Sequence, residues 1–475
     1  MTDCPIDFDD VQGTLLRGYR VAMARHFVLR ITHADAAGLF IAALVDGRHG
    51  LPKITTARRT LTKPACFLNI SFTCPGLAMM GISAQDLTSF DASFQLGATH
   101  ASVASNIGDI GPSAPSQWMG GLSHGAQVHM LLSLWVTDSP EVLASVTATL
   151  RAAFAGCAQE LSAHDARALP DNKVHFGYRD SISQPNVQGA PASKHPVDQQ
   201  PTIATGEFLL GYPNETGGGG VYSVTPQALS TNSSYAAFRI LEQDAAAFEA
   251  LLARNAPLSN MDTEMLAAKI CGRWRNGNPL ELAPAEPGDV LPRSALNNFD
   301  YVSTDPAKDD TLGLKCPIGS HIRRNNPRDA GVIGTDSNHH RIVRRAMPYG
   351  PAYDPQHPDT TPRGLVGYFI NASLQNQFEF LTSQWNDTDS FVKSATGPGG
   401  SDAGNAVSNI SGQDVFLGIN DPTESSFTLP QPGRNGCNNT RITGFDRTVT
   451  TRGGVYCFFP SISGLRYLAV LPAPL

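Results

Sequence analysis

The chain lacks the usual marks of a metal-cluster carrier, an exported protein or a nucleic-acid binder. Its eight cysteines, at 4, 66, 74, 157, 271, 316, 437 and 457, form neither a C-x-x-C nor a C-x-x-C-H pattern. Ribbon-type zinc, iron–sulfur clusters and covalently attached c-type haem are therefore unsupported, and the cysteines read mostly as buried thiols. The longest aliphatic stretch, near Val128 to Val136, falls far short of the roughly 20 residues that cross a bilayer. Met1 to Asp7 shows no basic segment, apolar stretch or twin arginine, so no export signal is expected and a cytoplasmic location is. Without export, the seven N-x-S/T sequons carry no meaning. A formal charge of -7 with 16% charged residues argues against a nucleic-acid or anionic membrane partner for the molecule as a whole.

At 475 residues and 41% hydrophobic content, the chain can build two or more sizeable cores. Its 44 glycines and 34 prolines suit broad sheets joined by long loops better than a helical bundle. An internal echo supports two units. Leu29 to Leu39 aligns with Phe238 to Phe248 at a constant offset of 209, with Arg, Ile, Asp, Ala and Ala coinciding. Each copy reads as a short strand, an aspartate placed to cap orphan amides, and an alanine-rich amphipathic helix. Chance similarity between alanine-rich helix starts is the plain alternative. Duplication predicts two related α+β domains, each packing helices on one face of an antiparallel sheet. The boundary should fall near 215 to 232, giving domains of 1–220 and 221–475. The Gly- and Ser-rich stretch there reads as a linker, and the tract from Thr396 to Asn405 as a surface loop.

Two segments carry chemistry. Phe176 to Pro185 sets Asp180 on a glycine-punctuated loop, and Gly319 to Arg328 sets His321 among arginines. Alone, Asp180 could be a turn aspartate and His321 a satisfied core histidine. The stretch from Lys315 to Arg345 holds seven basic residues against Asp329 and Asp336, which calls for an anionic partner. A single-strand binder would interleave stacking aromatics, yet Cys316 to Met347 contains no Phe, Tyr or Trp. Nucleic acid is thereby disfavoured, and the carboxylates of a prosthetic group suit the arginines better.

In their order along the chain, these segments resemble the dye-decolorizing (DyP-type) haem peroxidases, in the longer branch of that family. The resemblance runs nearly end to end. It includes Asp10-Val11-Gln12-Gly13, Phe176 to Pro185, Glu207 to Glu215, Gly272 to Gly277, Asn297 to Tyr301, Cys316 to Arg328, Ile342 to Gly350, Arg363-Gly364-Leu365, Gln377 to Phe380 with Trp385, and Thr451 to Pro460. The resemblance implies two ferredoxin-like α+β domains and one non-covalent haem b held mainly by the second. It also implies His321 as the axial ligand, Asp180 as the distal acid–base residue and Arg344 as the distal cation. Asp414 would accept the His321 proton, while Arg323, Gly177, Ser181 and Leu365 would line the cofactor. Hydrogen peroxide and small aromatic reductants or dyes would be the reactants, and a homo-oligomer stays open.

The chemistry is intelligible from the residue types. A carboxylate behind an axial imidazole raises its basicity and fixes the ring. A distal aspartate can carry a proton between the two peroxide oxygens, and a planar guanidinium can stabilise the charge on the departing one. A carboxylate base, with reference pKa about 3.9 against about 6.5 for histidine, predicts an acid-leaning activity optimum. Three positions depart from the family pattern: Ser181 and Ala346 replace glycines, and Gly367 replaces an aromatic, which predicts a roomier distal pocket. A haem-binding or haem-processing protein with weak turnover is the alternative reading. Oxidation of bulky dyes would use electron transfer through Trp118, Trp135, Trp274, Trp385, Tyr349 or Tyr368, most of which read as core residues.

Overall fold

The computed structural model describes residues 5–190, 200–217, 219–328, 336–388, 412–433 and 436–472; the glycine-rich tract from 396 to 405 lies outside them. Twelve strands occur among these residues: β1 Met23–Ile31, β2 Cys66–Phe72, β3 Met130–Val136, β4 Ala158–Arg167, β5 Asn186–Val187, β6 Thr202–Ile203, β7 Ser234–Gln243, β8 Val343–Tyr349, β9 Gly364–Asn371, β10 Ser426–Gly433, β11 Gly436–Thr443 and β12 Val449–Phe459. Eight form one sheet in the order β4-β1-β3-β2-β12-β7-β9-β8, and all its pairings are antiparallel. The first half contributes β4-β1-β3-β2 and the second contributes β12-β7-β9-β8. Numbered within its own half, each set has the order 4-1-3-2 and a helix after its first strand. The chain is thus α+β with antiparallel sheets. The halves meet where Phe458 of β12 pairs with Phe72 of β2.

The sheet does not lie flat. Edge strand β4 returns alongside edge strand β8, so the layer curls around an interior, as the twist of large antiparallel sheets allows. That interior is aromatic. Tyr19, His26, Trp135, Phe238, Tyr368 and Phe459 are all buried there, with Trp135 and Tyr19 ring centroids 5.3 Å apart and Tyr368 and Phe459 5.2 Å apart. Helices cover the outer surface. The helix Pro140–Phe154 begins with Ser139 accepting from the Val142 amide and proline in its first turn, and it buries Thr147, Leu150 and Phe154. With cover on both sides, every residue of β3 is buried, and its sequence Met-Leu-Leu-Ser-Leu-Trp-Val reads as a continuous apolar run broken only by Ser133.

The echo at offset 209 coincides with β1 followed by the helix Ala34–Asp46 and β7 followed by the helix Ala245–Asn255. The expected caps differ. Asp244 accepts from the Ala247 amide and caps its helix, whereas Asp35 lies inside the first turn after His33, which makes no side-chain cap. Its helix begins early enough that Asp35 can act only through the helix dipole. All four tryptophans are buried, and Cys157, Cys271, Cys316 and Cys457 are buried thiols. No helix among the described residues is long and apolar enough to cross a membrane.

Candidate active site

The Asp180 loop is built by local hydrogen bonds. Lys173 bridges Arg179, the Val174 amide donates to the Tyr178 carbonyl at 2.9 Å, and the Asp180 amide donates to the Asn172 carbonyl at 2.8 Å. Gly177 sits at the turn with φ +85°, a conformation L residues avoid. A Cβ there would press on the Arg275 side chain at 3.0 Å. Its glycine is therefore explained by the turn and Arg275, where the sequence suggested close approach to a flat ligand. Ser181, exposed, holds φ +62°. The left-handed conformation is kept although the family's glycine is gone. Asp180 is half-buried, and among the described residues its carboxylate has no hydrogen bond or ion pair.

This loop is fastened to β8 at Arg344. The Arg344 amide donates to Gln184 Oε1 at 3.1 Å, Gln184 Nε2 donates to the Arg344 carbonyl at 3.3 Å, and the Arg344 guanidinium donates to the Ser183 carbonyl at 2.7 Å. Two residues expected to act together, 164 positions apart, thus belong to one hydrogen-bonded unit. Arg344 pairs with Phe369, Ala346 with Gly367 and Pro348 with Leu365, so these side chains share one face of the sheet. On β9, Leu365 and Phe369 of that face are half-buried, while Val366, Tyr368 and Ile370 point into the closed interior. Gly367 has φ +155°, and a Cβ on it would overlap the Arg345 carbonyl. The missing aromatic accordingly comes with a close approach of β8. Phe369 stands on the same face and packs on Phe378 at 5.4 Å, whereas Tyr368 points away.

His321 opens the short helix His321–Asn325. Its Nδ1–H donates to Asp414 Oδ2 at 2.8 Å. The other carboxylate oxygen accepts from the Phe416 amide at 2.8 Å and the Leu417 amide at 3.1 Å. Asp414 is fully buried. Burial alone would raise its pKa, but the His321 imidazole, the Arg324 guanidinium and the Leu417 amide outweigh it and hold the carboxyl below the usual range. Asn420 secures the turn by donating to the Asp414 carbonyl at 2.9 Å. Phe416 then packs against His321 at 5.4 Å and stacks on Phe176 of the Asp180 loop at 5.2 Å. The acid loop and the histidine are joined through these two rings.

Arg323 is not part of this assembly. Its guanidinium is buried, donates to Asp310 at 3.1 Å and to the Cys316 carbonyl at 2.7 Å, and lies over Tyr301 at 4.3 Å. As the third residue of the helix it faces away from His321. Arg324 is equally committed, donating to the carbonyls of Gly412 at 2.6 Å and of Trp385. The two arginines after His321 anchor its helix to the surrounding loops. Gln184, Ser183, Asn420 and Phe416 were missed in the sequence. The capping turn after Asp414 was the one local signal available for them.

The donor set bears on the cofactor. Among the described residues, no three His, Cys, Asp or Glu side chains converge as ligands for a bare ion. His321 instead offers a single Nε2, since Nδ1 is held by Asp414, and its side chain keeps 24% exposure beside a fully buried partner. One oriented imidazole fits a metal that brings its other donors with it, as a porphyrin iron does. A small neighbouring cleft is lined by Arg239, Leu241, Phe369, Phe378 and Leu417 among others. It adjoins the site through Phe369 and Leu417, but Asp180, His321 and Arg344 do not line it.

No protein-family model matches the chain. Among characterised proteins, it is 30% identical to the dye-decolorizing peroxidase msp1 of Mycetinis scorodonius, over 97% of this chain and 87% of that one. It is 28% identical to the multifunctional dye peroxidase DyP2 of an Amycolatopsis species, over 97% and 95%. Among solved structures, it is similar to a dye-decolorizing peroxidase in complex with 2,6-dimethoxyphenol, with TM-score 0.77, 25% identity and coverage of 98% and 100%. A single-site mutant of the decolorizing peroxidase of Auricularia auricula-judae shares the fold with TM-score 0.80 at 24% identity, over 98% and 100%.

Proposed function

The chain belongs to the dye-decolorizing peroxidase family, and from that premise we propose that it uses one non-covalent haem b and hydrogen peroxide to oxidise dyes and phenolic or other small aromatic compounds. The hydrogen bond from His321 to the buried Asp414 carries this reading. It leaves one nitrogen available and fixes the direction in which it points. In the same reading each half of the sheet, with its 4-1-3-2 order, is a ferredoxin-like domain. The domain boundary falls near 220, and the Asp180 loop reaches across to the second domain.

Haem, when bound, supplies the iron at which the peroxide O–O bond is split. His321 Nε2 would hold it, with Leu365 and the Gly177–Ser181 loop against the ring. Asp414 accepts the hydrogen bond of Nδ1–H, which fixes the ring's orientation and leaves Nε2 as the nitrogen that would donate to the iron, made more basic by the carboxylate behind it. Asp180 has a carboxylate free of other partners among the described residues. It takes a proton from one peroxide oxygen and returns it to the oxygen that leaves as water. Arg344, permanently charged, stabilises the negative charge on that departing oxygen, and its bonds to Ser183 and Gln184 hold it beside the loop of the acid.

The test uses haem-reconstituted protein. Peroxide should shift the Soret band of the wild type, and a phenol or anthraquinone dye should restore it. Asp180→Asn and Arg344→Leu should each slow the shift by about 100-fold or more while haem stays bound. Haem absorption with no response to peroxide would leave a haem-binding protein with little turnover and overturn the reading.

A further inference from the structure

We propose that Tyr368 is a buried, proton-coupled oxidation site inside the curled sheet, with Ser133 and His26 receiving its proton and Trp135 and Tyr19 continuing the path for the electron hole. The inference rests on the haem-peroxidase reading for its oxidant. Tyr368 lies on β9 between Gly367 and Phe369, two residues of the face that carries Arg344. Its ring is therefore separated from the site by the thickness of one strand, and Gly367 places no side chain between. A dye cannot reach it, because Tyr368 is 1% exposed.

The interior supplies what oxidation of a buried phenol requires. A tyrosine gives up its electron readily only if the phenolic proton leaves with it, since a protonated cation radical in an apolar interior is costly. Tyr368 Oη lies 2.7 Å from Ser133 Oγ, and Ser133 Oγ lies 2.7 Å from His26 Nδ1. Ser133 and His26 are a directly opposed cross-strand pair, so the relay is held by backbone register. Burial drives the His26 pKa down to about 3. The imidazole is consequently neutral at working pH, and with its proton on Nε2 it accepts at Nδ1. The step balances. Haem oxidised by peroxide takes one electron from Tyr368 and is reduced by one equivalent. The O–H bond of Tyr368 breaks as Ser133 Oγ gains that proton and passes its own to His26 Nδ1. A neutral phenoxyl radical and an imidazolium remain; burial and His164 oppose the imidazolium and Asp165 only partly offsets them, so the proton is held at His26 briefly and returns when the radical is reduced.

The rings beyond Tyr368 form a close series. His26 lies 5.7 Å from Tyr368 and 5.7 Å from Trp135, Trp135 lies 5.3 Å from Tyr19, and Phe238 fills the side between His26 and Tyr368 at 5.4 and 5.1 Å. The series crosses the interior from the second half of the chain to the first. It can hold an oxidising equivalent away from the haem when no reductant is present.

The experiment mixes the holoprotein with peroxide without reductant and freezes it for electron paramagnetic resonance. Wild type, Tyr368→Phe, Ser133→Ala and, as control, Tyr467→Phe are compared, each also grown with ring-deuterated tyrosine. The wild type and the control should give a phenoxyl signal that narrows on deuteration. In Tyr368→Phe it should fall by more than half or be replaced by an indolyl signal, and in Ser133→Ala it should form more slowly with its hydrogen-bond signature altered. An unchanged phenoxyl signal in Tyr368→Phe, with a normal Soret response to peroxide, overturns this inference and leaves the peroxidase reading intact. A second arm needs no haem: azide radicals generated by pulse radiolysis oxidise tryptophan in the apoprotein. The subsequent rise of phenoxyl absorbance should be smaller in Tyr368→Phe than in Tyr467→Phe. Equal rises overturn the inference whatever the haem does.

Discussion

Asp414→Asn separates the role of the buried carboxylate from the mere presence of His321. The carboxylate has two acceptor oxygens, one for the His321 Nδ1–H at 2.8 Å and one for the amides of Phe416 and Leu417 at 2.8 and 3.1 Å. Asparagine has one acceptor. Turned toward His321, it sets its NH₂ against two backbone donors, leaving them buried and unpaired at about 1–3 kcal/mol. Turned toward the amides, it satisfies both and presents an NH₂ to His321. The second arrangement loses less, and it forces Nδ1 to accept. The ring proton then moves to Nε2, the nitrogen that would bind iron. Outer partners of this kind typically contribute 10–100-fold in metal affinity, or about 1.4–2.7 kcal/mol. Haem titration of the apoprotein by absorbance should therefore show affinity for Asp414→Asn falling by about 10–100-fold. The apoprotein should retain most of its urea stability, because the two backbone amides keep their acceptor. Unchanged haem affinity with an unaltered ligation spectrum would refute the reasoning.

Two further outcomes follow from backbone strain and from buried histidines. Ser181 stands at φ +62°, so Ser181→Gly should relieve left-handed strain and, after the entropy of glycine is counted, raise stability by up to about 1 kcal/mol in urea unfolding; a loss would show that the hydroxyl makes a contact worth more than the strain. Burial lowers His26 to about 3 and His164 to about 4, both below the unfolded value of about 6.5. Their contribution to stability is thus complete above about pH 6.5 and is lost as pH falls toward the folded values. Asp387 and Glu281, raised by burial to about 7, act in the opposite sense. The comparison is therefore His26→Gln against wild type, and its melting temperature should fall less steeply below pH 6.5; parallel curves would count against a neutral buried His26.

What could be read from the residues was local. The repeated strand and helix at offset 209 lie at equivalent places in the two halves because both are short-range patterns. His321 with Asp414, and Asp180 with Arg344, were expected from the family resemblance; His321 is hydrogen-bonded to Asp414, whereas Arg344 bonds to Ser183 and Gln184 of the loop that carries Asp180 and not to Asp180 itself. The curl of the sheet was not legible, since the approach of β4 to β8 depends on accumulated twist and no one segment records it. Arg323 looked like a ligand to an anion because charge density was all its neighbourhood displayed. Its partner Asp310, 13 residues earlier, and the Tyr301 ring become evident only after folding. Gly367 was similarly ambiguous, because a missing ring and a strand pressed close both demand a residue without Cβ.

The position of β12 has a consequence for how the molecule assembles. It is the latest strand of the large sheet in chain order, yet it lies at the middle, between β2 and β7. The segment after it, Ile462–Leu468, returns to the beginning, where the Ile462 amide donates to the Asp10 carbonyl at 2.8 Å and the Ser463 amide to the Asp10 carboxylate at 2.7 Å. Until β12 arrives, the second half lacks its fourth strand, and β2 and β7 each expose an open inner edge to any other strand in solution. Closure is then a keystone event of high contact order. Shortening the chain before Val449 would open the large sheet at its centre instead of trimming an end.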